Sequence, residues 1–317
     1  MNNPSGCRSG VNQRLERRGH TLIEVVIALI VGVTLLMSAS AIAISTMRSM
    51  RGAEVREGVS RQARFVGMSL ERDLAFTGVE LESTAAHGAL SVRNDTIVIL
   101  SVPTAGTPAR PYTISTPVGT SRPMPAGGTC AANCVDFIRP AGEDVELEQG
   151  DLAVLTTSSA RRLVVIESVT QNADEAEVRF SNVGRTEIMH HAANFSDGYR
   201  LDPTMTTIQK VDMVAWWLDG ETLIRAERVD DQGNAIGHVA ATGVDSFDAK
   251  LIFTDGAEAD EADPADPDRA FDRLAGVRIA LQLRSRVAPP GQENPVSRKH
   301  EWRFTPRNLI YERNRRY

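Results

Sequence analysis

Residues 20–47 read HTLIEVVIALIVGVTLLMSASAIAISTM, and from Val25 to Met47 they hold 23 consecutive positions without a charged side chain. As a helix rising about 1.5 Å per residue, the run reaches ~35 Å and crosses a bilayer. Upstream, Arg8, Arg14, Arg17 and Arg18 stand against the single acid Glu16, the basic bias of a cytoplasmic flank. A secretory signal peptide shares the basic start and apolar core. This run is longer than a usual signal core, however, and Arg48 and Arg51 follow Ser45-Thr46-Met47 where a small-x-small cleavage site would stand. Glu24 is the second feature that sets it apart. An acid at the mouth of an apolar run does nothing for a plain anchor, because burying a carboxylate is costly unless it is neutralised or paired.

Beyond the apolar run, Val55, Val59, Ala63, Val66, Leu70 and Leu74 recur every three or four residues. That spacing draws an apolar stripe on a helix, with Arg56, Glu57, Arg61, Arg64, Glu71 and Arg72 largely off it. One helix is therefore expected from about Thr21 to Phe76, ending before Gly78, with Gly32 as a weak point. Its first half (20–47) is expected in lipid and its continuation (48–77) against a sheet. After Gly78 the period turns strand-like, in Leu90–Val92, Thr96–Val102, Leu152–Thr157, Leu163–Thr170 and Ala176–Ser181. Asn94-Asp95 closes the first hairpin, and Asp219-Gly220 marks a turn between Val211–Leu218 and Thr222–Val229. Val244–Thr254 and Gly276–Val287 add two long strands. The expected fold class is α+β: a long N-terminal helix packed on one or two antiparallel sheets, with residues 78–317 as a β-rich head.

Two segments of the head read as loops. Residues 103–139 are rich in Pro, Gly, Thr and Ser and hold Cys130 and Cys134. In an exported domain the pair favours a disulfide, although C-x-x-x-C also suits half of a metal site. No second Cys/His pair stands at zinc spacing, and His190-His191 reads as a surface doublet. Residues 255–268 carry seven acids among alanines and prolines, a self-repelling run that reads as a solvated loop. Asp255, Asp260 and Asp263 are its weak calcium candidates, without the ligand order or glycine of an EF-hand.

The residues Arg17-Arg18-Gly19-His20-Thr21-Leu22-Ile23-Glu24-Val25 resemble the processing site of type IV prepilins and type II secretion pseudopilins. The resemblance implies that residues 1–19 are a cytoplasmic leader cut after Gly19 by a prepilin peptidase. It makes His20 the first mature residue and the site of N-methylation, where the family usually has phenylalanine. Glu24, fifth in the mature chain, becomes the acid that guides assembly. Removing the leader also removes Cys7 and leaves an even cysteine count. Ser69-Leu70-Glu71-Arg72-Asp73-Leu74, the Trp216-Trp217-Leu218 to Leu223-Ile224-Arg225 hairpin, Val244-Asp245-Ser246-Phe247 and the segment Val277 to Arg286 are similar to the heads of PilW-type minor pilins. The implied partners are other major and minor pilins and an inner-membrane assembly platform. The implied place is a single pass through the inner membrane with the head in the periplasm.

Composition narrows the alternatives. The 317 residues carry a formal net charge of -6, with no basic excess to suggest a nucleic-acid partner. The sequence has no G-x-S-x-G, H-E-x-x-H, S-x-x-K or phosphate-binding glycine loop, so neither catalysis nor a cofactor is expected. Trp216, Trp217 and Trp302 read as sheet packing or contact residues. The competing readings are a J-type minor pseudopilin of type II secretion and, in another class, an adhesin or binding protein on an ordinary anchor. The last needs neither Gly19 nor Glu24.

Overall fold

The computed structural model describes residues 21–103, 110–114, 122–123, 134–139, 143–157, 160–192, 200–201 and 205–309. Gly19, His20 and Cys130 lie outside them, as do the rest of the leader and much of 103–139. The described chain is α+β, with one long helix and antiparallel sheets. It divides into two compact units, one ending at Ala53 and the other Glu54–Tyr317.

Helix α1 runs Leu22–Ala75, within a residue of each end of the Thr21–Phe76 expectation. Gly78 adopts φ +70° three residues past its end, a conformation that only glycine enters without penalty, and its N–H donates to Leu100 O at 2.9 Å. Gly32 does not interrupt it.

Among the described residues, seventeen strands follow α1. The first sheet has the order β1 (Leu90–Arg93), β2 (Thr96–Ser101), β11 (Asp212–Asp219), β12 (Thr222–Val229) and β13 (Ala235–Thr242). The second has β3 (Tyr112–Thr113), β10 (Thr207–Lys210), β6 (Leu152–Thr156), β7 (Arg161–Gln171), β8 (Glu175–Phe180) and β5 (Cys134–Ile138). A third has β15 (Glu258–Ala259), β14 (Val244–Phe253), β16 (Leu274–Arg284) and β17 (Ser297–Phe304), and β4 (Arg122–Pro123) pairs with β9 (Arg200–Leu201). The described residues thus form four sheets, where one or two were expected. Arg93 pairs with Thr96 across Asn94 and Asp95, both with positive φ as a type I′ turn requires. The β11–β12 link is Gly220-Glu221, one residue later than expected, since Asp219 already pairs with Thr222.

Two loop expectations need correction. Residues 103–139 carry β3, β4 and β5, and β5 forms because Val135 and Phe137 point into a core while its backbone pairs with β8. Residues 255–268 are mostly turns, but β15 lies on the edge of β14.

Strand alternation builds the layers of the Glu54–Tyr317 unit. Ile97 and Ile99 of β2 join Val59, Ala63, Val66, Leu70 and Leu74 of α1 in one core, together with residues of β14 and β16. Their neighbours Val98 and Leu100 face the other way and meet Leu152, Val154, Leu163 and Val165 of the second sheet. Ala153, Leu155, Val164 and Ile166 then close a third core with Val135, Phe137 and Val178.

Candidate membrane and assembly segment

The first half of α1 has the composition and length to cross a membrane, and its most apolar window is wholly exposed. Leu22 is 83% and Leu36 69% exposed. Such surface in water would be a large aggregation liability. Three of its hydroxyls are satisfied within the helix. Thr34 Oγ1 donates to Val31 O at 2.9 Å, Ser38 Oγ to Thr34 O at 2.8 Å and Thr46 Oγ1 to Ile42 O at 2.9 Å. Hydroxyls tied back to the preceding turn enter an apolar phase without leaving orphan donors.

Glu24 sits in the first turn of α1. Its N–H donates to Thr21 O at 3.0 Å and lies 3.4 Å from Thr21 Oγ1, so Thr21 is the N-cap and Glu24 the third helical residue. Thr21-x-x-Glu24 is a capping-box sequence, and an acid there also suits the helix dipole. This local role was readable in the sequence from the spacing alone.

The second half of α1 is fixed to its sheets by one buried polar knot. Asp73, 4% exposed, accepts two hydrogen bonds from Arg225, Nε to Oδ2 at 2.7 Å and Nη2 to Oδ1 at 2.7 Å. Trp216 Nε1 donates to the same Oδ2 at 2.9 Å. The Arg225 guanidinium also lies over the Trp216 ring, 5.8 Å from its centroid, and contacts Glu227. Its pKa is driven further up, chiefly by the hydrogen bond to Asp73, and Glu227 is held below the usual carboxylate range by Arg225. A bidentate pair this well satisfied fixes the register of helix on sheet. Trp216 is therefore a buried anchor, while Trp302 packs its ring against Gly67 of the helix.

The other site expectations are scattered. Cys134 is disulfide-bonded, and its partner falls outside the described residues. The calcium candidates do not converge. Asp255 pairs with Arg269 at 3.0 Å, Asp260 with Lys250 at 2.9 Å, and Asp263 accepts from Ala265 N at 2.9 Å. Among the described residues no group of three or more His, Cys, Asp or Glu side chains could hold a metal. The histidine doublet is not a surface feature. His191 is buried and His190 half-buried, and the ring of His191 lies between those of His190 and the buried His87, tilted against each.

No protein-family model matches the chain, and no curated protein matches it.

Proposed function

We propose that this chain is a minor subunit of a type IV pilus, a pilin-like protein cut after Gly19 by a prepilin peptidase and inserted once through the inner membrane. One observation supports it above the others: a continuous helix whose first half is apolar on every side and whose second half is apolar on one stripe only. Such a helix can sit in lipid as a monomer. It can also leave lipid to join a bundle of like helices, because both surroundings are apolar. Glu24 is then the one carboxylate at the entrance, able to pair with the N-terminal amine of a neighbouring subunit. In this reading the head serves contact: a polar knot around Asp73 ties helix to sheet, and one around Arg278 with Asp248 and Glu258 ties three strands together.

Mass spectrometry of membrane-extracted protein tests this directly. A mature chain beginning with methylated His20 is expected. A start at Met1 or downstream of Thr46 would refute it.

A further inference from the structure

Three imidazoles meet inside the Glu54–Tyr317 unit, and the reading above uses none of them. The ring of His191 lies 4.6 Å from that of His87 and 4.1 Å from that of His190, centroid to centroid, with Phe271 edge-on at 4.9 Å. His87 is 0% and His191 8% exposed. Among the described residues neither ring nitrogen of His87 has a hydrogen-bond partner, nor does Nε2 of His191. A neutral imidazole tolerates such a place at moderate cost. An imidazolium does not, because both its nitrogens then donate and its charge is buried.

The charges around the cluster deepen that asymmetry. Burial holds His87 and His191 well below the ordinary imidazole range; Arg161 and Arg162 add to the effect at His87, and Arg162 and Arg185 at His191. Glu261 favours a proton on His190 alone, where Arg93 opposes it. Glu187 is turned elsewhere: its carboxylate accepts from Asn94 Nδ2 at 3.4 Å, and its carbonyl lies 2.9 Å from His190 Nδ1. Glu82, in the turn that carries His87, is exposed.

The two walls of the cluster are held differently. His87 sits in a turn pinned on both sides: Thr84 N donates to His87 O at 2.8 Å, Ala89 N to Ser83 Oγ at 3.1 Å and Leu100 N to Ala89 O at 2.7 Å. The facing segment, 183–192, is turn and irregular backbone from 183 to 191. It is docked on β7 by a parallel bridge of Leu163 with Ala192, in which Leu163 N donates to His191 O at 2.9 Å. Val183, Met189 and Ala192 bury their side chains beneath it. A segment outside the sheet ladders opens at a smaller free energy than the whole domain.

We propose that residues 183–192 are an acid-released strap: protonation within the His87–His191–His190 cluster frees them from β7 while the rest of the head stays folded. Open, the strap carries His191 into water and takes the cover off His87, so both gain protons at ordinary imidazole values. Closed, the same two rings resist protonation. The closed form is therefore fully favoured above about pH 6.5 and is lost progressively below it, about tenfold per pH unit for each histidine. The device lies wholly within the Glu54–Tyr317 unit, so it holds whether or not the helix enters a filament.

The test is amide hydrogen exchange of the full-length protein in detergent, with protection corrected for the intrinsic rate at each pH. As the pH falls below about 6, the opening that exposes the Leu163 N–H should rise about a hundredfold per pH unit, two protons per opening, while amides of β14 and β16 keep their protection. A tenfold rise supports the strap with His191 alone released. His191→Gln and His87→Gln should each reduce the rise to about tenfold per unit, and the double substitution should abolish it. His300→Gln, on β17, should leave it unchanged. The wild-type series needs no substitution, so it decides the matter even if a variant fails to fold. A rise of less than tenfold per unit, loss of protection in β14 and β16 in step with Leu163, or an unchanged rise in the double variant would overturn the inference.

Discussion

The two halves of α1 differ in where their apolar side chains go. Before Ala53, leucines, isoleucines and valines are exposed around the whole circumference, and the hydroxyls of Thr34, Ser38 and Thr46 bond back to their own helix. After Glu54, the apolar residues that matter lie on one stripe, Val59 to Leu74, and that stripe is closed by sheets. Leu36 is 69% exposed and Leu70 is 0%. One element is thus written for two solvents, an external apolar phase and the protein's own core. The stability of the head should depend on the second half and be indifferent to the first.

The largest break in that comparison is expected at Asp73. Asp73→Ala leaves Arg225 buried without its bidentate partner, and should cost about 3–5 kcal/mol of head stability in chemical denaturation. Leu70→Ala removes a fully buried side chain from the same seam and should cost about 2–5 kcal/mol. Acid sharpens the comparison further. His87 is pushed down to about 3 by burial, and His191 is lowered for the same reason. Because the folded pKa values lie below the unfolded one, the unfolded chain binds more protons between them. Stability is therefore full above pH 6.5 and falls on acidification, by about 2 kcal/mol per histidine between pH 6.5 and 5. His87→Gln should remove about half of that slope. Leu36→Ala is the smallest effect: the unfolding midpoint of the head should be unchanged within error.

How much of this the sequence disclosed depends on what holds each piece. The α1 boundaries were legible because the apolar run, the stripe and Gly78 are all local. The β11–β12 hairpin was legible for the same reason, with an alternating pair of strands around a glycine turn. Strands β13 and β17 were not. Ala235–Thr242 is largely exposed, and Ser297–Phe304 reads Ser-Arg-Lys-His-Glu-Trp-Arg-Phe. Both lie at sheet edges, where backbone pairing with a neighbour suffices and side chains carry no pattern. Asp73 looked like one more charge at the end of a helix. Its role depends on Arg225, 152 residues away, a separation that no window detects. His190 and His191 misled for the same reason, since a polar doublet was buried by packing against His87 and Phe271, which are remote in the chain.

One substitution isolates the proposed role of the first half of α1 as an assembly segment with Glu24 as its pairing acid. Glu24→Gln retains a side chain suited to the third helical position of a Thr-x-x-Glu/Gln cap, so helix formation is preserved while the charge is lost. Membrane insertion should be at least as good as in the wild type, because a carboxylate only lowers the preference for lipid. Membrane amounts and cleavage after Gly19 should therefore stay normal, and the protein should be lost from sheared filaments and from cross-links to partner pilins. Glu24→Gln protein recovered from sheared filaments at wild-type amounts would contradict the claim.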